Sequence, residues 1–99
     1  MKVYHGGYMA VEMPRMIKSK FPKDFGDGFY CTKLEMQAIR WASRYDTAVI
    51  SIYEYTPDEN LKTLVKYPTH QICFCNKKAL KTLKFIGFSK INDYERPRR

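Results

Sequence analysis

A chain of 99 residues holds one domain, and at this size folding buries only about 60–65% of the surface that the unfolded chain exposes, so the core is thin. Hydrophobic residues at 44% and aromatics at 15% suffice for a globular core and exclude wholesale disorder, while no apolar run approaches the roughly 18–20 residues of a membrane span. The formal charge of +8, from 18 Lys and Arg against 10 Asp and Glu, favours an anionic partner without choosing among a dinucleotide, a nucleic acid and an acidic protein.

In chain order, residues 3–5 read as a short strand broken by Gly6 and Gly7. Residues 8–23, interrupted by Pro14 and Pro22, read as an extended covering loop, because proline denies a helix its backbone donor. Residues 24–28 form a Gly-punctuated turn and 29–31 a strand. Thr32 followed by Glu35 has the spacing of a capping box and predicts a helix running to about Arg44. Leu34, Ala38, Trp41 and Tyr45 make its apolar stripe, expected to pack on a sheet. Residues 48–55 are rich in β-branched and aromatic side chains and predict a buried strand ended by Thr56-Pro57-Asp58. Residues 71–75 predict another strand, Asn76 a cap on a short helix carrying Ala79, Leu80 and Leu83, and 85–91 a last strand. The tail 92–99, ending Arg-Pro-Arg-Arg, reads as a frayed basic terminus after a single domain spanning 1–91. Strands outnumber helices without regular alternation, which points to an antiparallel α+β sheet.

The N-terminus lacks the apolar stretch of a secretory signal, so the cytoplasm is the expected compartment. The odd count of cysteines, Cys31, Cys73 and Cys75, argues for free thiols. Alternation places Gln71, Cys73 and Cys75 on one strand face, where the cysteines serve as small fillers; Cys-x-Cys beside His70 is a poor zinc step, and no metal is expected. Phosphate-binding glycine loops and zinc-protease motifs are absent, and Asp24-Phe25-Gly26 stands without any other kinase signature. His5-Gly6 after a strand, and Gly26-Asp27-Gly28-Phe29-Tyr30, are each explained singly as turns with core aromatics.

Together, a His-Gly on the first strand and a Gly-x-Gly-aromatic-Tyr leading through Thr32 into a helix resemble the ADP-ribosyltransferase pattern, particularly the branch containing poly-ADP-ribose polymerases. More closely, Val3-Tyr4-His5-Gly6, residues 24–32, Gln37-Ala38-Ile39-Arg40-Trp41-Ala42 and residues 68–75 resemble a bacterial family of domains of unknown function in that clan. The resemblance implies split antiparallel β-sheets with two short helices and an NAD pocket at the split. By the same resemblance His5 hydrogen-bonds a ribose hydroxyl, the backbone of Gly6 pairs with the nicotinamide carboxamide, Gly28 belongs to the binding turn, and Tyr30 stacks on the nicotinamide ring.

The sequence departs from that pattern twice. Gln71 stands where active relatives carry a glutamate that steadies the cationic ribosyl group. An anion ~4 Å from a cation is worth about 4 kcal/mol at an effective dielectric of 20, so a neutral amide forfeits roughly 10³-fold in rate. Secondly, relatives carry an extra segment between Tyr55 and Lys66, which this chain replaces with residues 56–65; the shortening would leave edge strands open to homodimer formation. Three functions stay open. One is mono-ADP-ribosyl transfer to an unknown acceptor, with His5, Tyr30 and Gln71 as the catalytic set. Another is a pseudoenzyme that binds NAD without chemistry. The third is a small basic module that binds nucleic acid or protein through Arg15, Lys18, Lys20, Lys23, Lys77, Lys78, Lys81 and Lys84.

Overall fold

The computed structural model describes residues 1–15, 28–56, 71–74 and 76–91, together with the backbone of 63–66. The elements are β1 (Lys2–Gly7), β2 (Phe29–Thr32), α1 (Glu35–Ala42), β3 (Val49–Tyr55), β4 (Thr63–Lys66), β5 (Gln71–Phe74), α2 (Lys77–Lys81) and β6 (Leu83–Lys90). All the strand pairings are antiparallel, in the order β4-β5-β2-β1-β3-β6. The α+β class and the two short helices are as the sequence predicts. The separation into two sheets is not: hydrogen bonding links the strands into one six-stranded sheet. Its weak line is the junction of β1 and β2, which share the single register pair Tyr4↔Thr32, whereas β1 pairs with β3 from Lys2 to Gly7.

Residues opposite one another in an antiparallel pair project from the same face. The register therefore places Val3, His5, Phe29, Cys31, Tyr53, Tyr55, Ile72 and Phe74 on one face, where α2 supplies Ala79 and Leu80 to the larger core cluster. On the opposite face α1 lays Ala38, Ile39 and Ala42 against Ile50, with Tyr4 and Ile52 packed alongside. Both faces being covered, Ile72, Cys73 and Phe74 are all buried, and Cys73 is the small buried filler that the sequence predicts.

Several local expectations are corrected. Gly6 and Gly7 do not break β1; they pair with Ile50 and Val49. An added Cβ at Gly6 would lie 2.2 Å from the carbonyl oxygen of Ala38, so the missing side chain is what lets α1 sit directly on the strand. Thr32 ends β2 instead of capping α1: its hydroxyl accepts the Leu34 N–H two residues on, at 3.1 Å, Leu34 occupies the cap position without a side-chain bond, and Glu35 is the first helical residue. That close approach to Gly6 turns Ala38, Ile39 and Ala42 toward the sheet; Leu34 of the expected stripe is exposed, and Trp41 and Tyr45 are only half-buried. β4 was not expected as a strand, and β6 begins at Leu83, two residues early. The cap at Asn76 is as expected, its Oδ1 accepting the Ala79 N–H at 2.8 Å. Residues 18–27, His70, Cys75 and the tail 92–99, on which further expectations fall, lie outside the described residues.

Candidate functional site

Below the Tyr4↔Thr32 pair, β1 continues against β3 while β2 continues against β5, and His5, Gly6 and Gly7 have no ladder partner in β2. In an antiparallel strand alternate residues turn N–H and C=O to opposite sides, so this stretch of β1 offers backbone groups to the gap. A cavity of about 900 Å³ occupies this region, within the roughly 300–1,000 Å³ of ligand clefts. His5, Gly6, Tyr30 and Gln71, singled out from the sequence, all line it; Gly28 is buried just before β2 and is not among the lining residues described.

The His5 ring bridges the gap. Its Nδ1 lies 2.7 Å from the carbonyl oxygen of Tyr30, and since a carbonyl only accepts, Nδ1 carries the proton and Nε2 is left as an acceptor. Burial pushes the imidazole below the ordinary histidine value, against a smaller opposite effect of the Tyr30 bond, so the neutral form is favoured. The ring stacks on Phe29, with centroids 4.3 Å apart, and Phe29 in turn meets Tyr53 edge-on at 5.7 Å. The imidazole is thus held on one side by a fully buried aromatic pair and at its edge by a backbone carbonyl.

The same aromatic pair anchors the segment after β1. The Tyr53 hydroxyl donates to the Val11 carbonyl, and the Val11 N–H donates to Ser51 Oγ at 3.0 Å. Ser51 is one of two fully buried polar residues among those described, and Val11 gives it a partner that burial would otherwise make costly to lack. These bonds draw residues 8–12 across the cleft, where Glu12 and Arg15 reach its lining. In the described part of 8–23, residues 8–15 are irregular, as the sequence predicts, and residues 8–12 with Arg15 line the cavity.

Sequence reasoning did not find Glu12, Trp41, Arg44 and Tyr45 as lining residues. Trp41 and Tyr45 were assigned to the core stripe, and only the rotation of α1 imposed at Gly6 sends them toward the cleft. Glu12 carried no motif. Glu54 on β3 is taken up elsewhere, its carboxylate 2.5 Å from the Met1 ammonium. Cys31 is fully buried and burial pushes its thiol up, so no thiolate is available there. Among the described residues no cluster of His, Cys, Asp or Glu has the arrangement of a metal site, and no helix is long and apolar enough to cross a membrane.

The fold and cleft define a small α+β domain with an antiparallel sheet opened between two neighbouring strands and an aromatic, partly cationic cavity in the opening. The chain belongs to the family described as Protein of unknown function (DUF3990), whose match spans residues 1–66. That span includes His5, Gly6, Gly28 and Tyr30 and ends with β4; Gln71 and the elements after it lie beyond. No curated protein and no solved structure matches the chain.

Proposed function

We propose that this chain is an NAD-binding module built on the ADP-ribosyltransferase plan, with the nicotinamide ribosyl end of the dinucleotide held between β1 and β2. The observation that carries this reading is the convergence of His5, Gly6, Tyr30 and Gln71, from three strands distant in sequence, on one cavity. Each residue fits its part. The tautomer imposed by the Tyr30 carbonyl leaves His5 Nε2 as an acceptor suited to a hydroxyl donor, which is what a ribose presents. Tyr30 offers a half-buried ring for stacking, and the stretch of β1 around Gly6, paired with β3 but not with β2, offers backbone groups to a carboxamide.

Bound NAD supplies a ribosyl group whose bond to nicotinamide is the one broken in ADP-ribosyl transfer. Gln71 can orient a hydroxyl through its amide but carries no charge to offset a cation. Glu12 is the acidic side chain on the wall among the described residues, and it arrives from the segment tethered at Val11. Gln71 favours a second reading within the same class: binding without transfer, as a pseudoenzyme.

Calorimetric titration with NAD tests the binding claim. Saturable binding that Tyr30→Ala weakens tenfold or more supports it; a folded protein that takes up no NAD contradicts it. Gln71→Glu then separates the two readings, because a gain in nicotinamide release marks an inherited transferase site, whereas unchanged, negligible release marks a binding module.

A further inference from the structure

The cleft has a second chemical character away from His5. At the C-terminal end of α1 the chain turns, the Tyr45 N–H donating to the Ala42 carbonyl at 3.0 Å, and this turn carries Arg44 and Tyr45 to the cavity wall. The Arg44 guanidinium lies over the Tyr45 ring, 5.1 Å from its centroid, and Tyr8 meets Tyr45 edge-on at 5.4 Å. Arg15 also lines this cavity, from the segment pinned at Val11. Among the described residues neither arginine pairs with a carboxylate, and the cavity wall carries two guanidinium groups against the one carboxylate of Glu12.

An exposed arginine is ordinarily just solvated. Here two of them, from separate segments, face one cavity, and one is held over an aromatic ring. A planar guanidinium presents paired donors that match the oxygens of a phosphate, and stacking on Tyr45 reduces the freedom lost on binding.

We propose that Arg44 and Arg15 form a subsite for the diphosphate of a nucleotide ligand, at the α1 end of the cleft. This deepens the NAD reading and rests on it only for the identity of the other end of the ligand. A dinucleotide with its ribosyl end at His5 and Tyr30 would lay its diphosphate toward α1, so that one cavity serves both a neutral and an anionic part.

The test uses two probes on the full chain: ADP-ribose, which has the diphosphate and lacks nicotinamide, and nicotinamide riboside, which has the reverse. ADP-ribose is expected to shift the NMR signals of Arg15, Arg44 and Tyr45, with affinity lowered tenfold or more by Arg44→Gln and further by Arg15→Gln. Neither substitution is expected to change affinity for nicotinamide riboside, and the Lys77→Gln, Lys78→Gln variant on α2 serves as a control for net charge. The proposal is overturned if ADP-ribose leaves those signals unmoved, if the α2 control weakens it as much as Arg44→Gln does, or if a single-stranded RNA occupies the arginines and ADP-ribose does not displace it. ADP-ribose binding without nicotinamide riboside binding would sustain this subsite while removing the nicotinamide reading.

Discussion

Single atoms decide how β1 meets its neighbours. At Gly6 an added methyl would strike the Ala38 carbonyl at 2.2 Å, and backbone on both sides leaves nothing flexible to yield, so Gly6→Ala is expected to cost about 2–3 kcal/mol in chemical denaturation. At Gly7 the nearest atom is His5 Nε2 at 3.5 Å, an ordinary contact, so Gly7→Ala is expected to cost less than about 1 kcal/mol. Equal costs would contradict the role given to the close approach of α1. His5 carries a pH signature. Its folded pKa is lowered by burial, so the unfolded chain binds the proton first as pH falls through the ordinary histidine value near 6.5. Stability attributable to the neutral ring is fully present above that value and declines as pH falls toward the lower folded value. Denaturation midpoints of the wild type and His5→Gln, compared from pH 7.5 to 5, should diverge in slope with the wild type the steeper; parallel curves would contradict the buried neutral imidazole.

Elements are placed by a few long-range bonds, and these set what the sequence could reveal. Tyr53 and Ser51 of β3 hold Val11 across the cleft. Tyr53→Phe keeps the ring and removes the donor to the Val11 carbonyl; about 1–2 kcal/mol of stability should be lost, with accelerated amide exchange confined to residues 8–15. A uniform rise in exchange across the sheet would show that the tether is merely part of the core. β3 and the Asn76-capped helix were legible because the β-branched and aromatic composition of the one and the cap of the other are local signals. β4 was not, since a four-residue edge strand has little pattern of its own and is defined by pairing with β5. α1 was legible as a helix but not in its rotation, because the large side chains at 34, 41 and 45 share a stripe with Ala38, while the close approach to Gly6 selects the face of Ala38, Ile39 and Ala42.

For the molecule as a whole, the order of residues along the chain carried more information than any single motif. His5, Tyr30 and Gln71 were picked by resemblance from segments far apart, and the antiparallel order β5-β2-β1 brings those segments side by side. What the sequence could not convey is the opening itself, which depends on β1 and β2 sharing one register pair and then following different neighbours. The arginine and aromatic wall was equally hidden, because it needs both the turn after α1 and the Val11 tether. The central claim is that this opening receives a nicotinamide ribosyl group. The most direct measurement is NMR titration of the labelled protein with NAD, repeated with nicotinamide alone and with Tyr30→Ala. Saturable shifts centred on His5, Gly6, Tyr30 and Gln71, and lost in Tyr30→Ala, are the predicted result; a folded protein whose signals at these four residues do not move would contradict it.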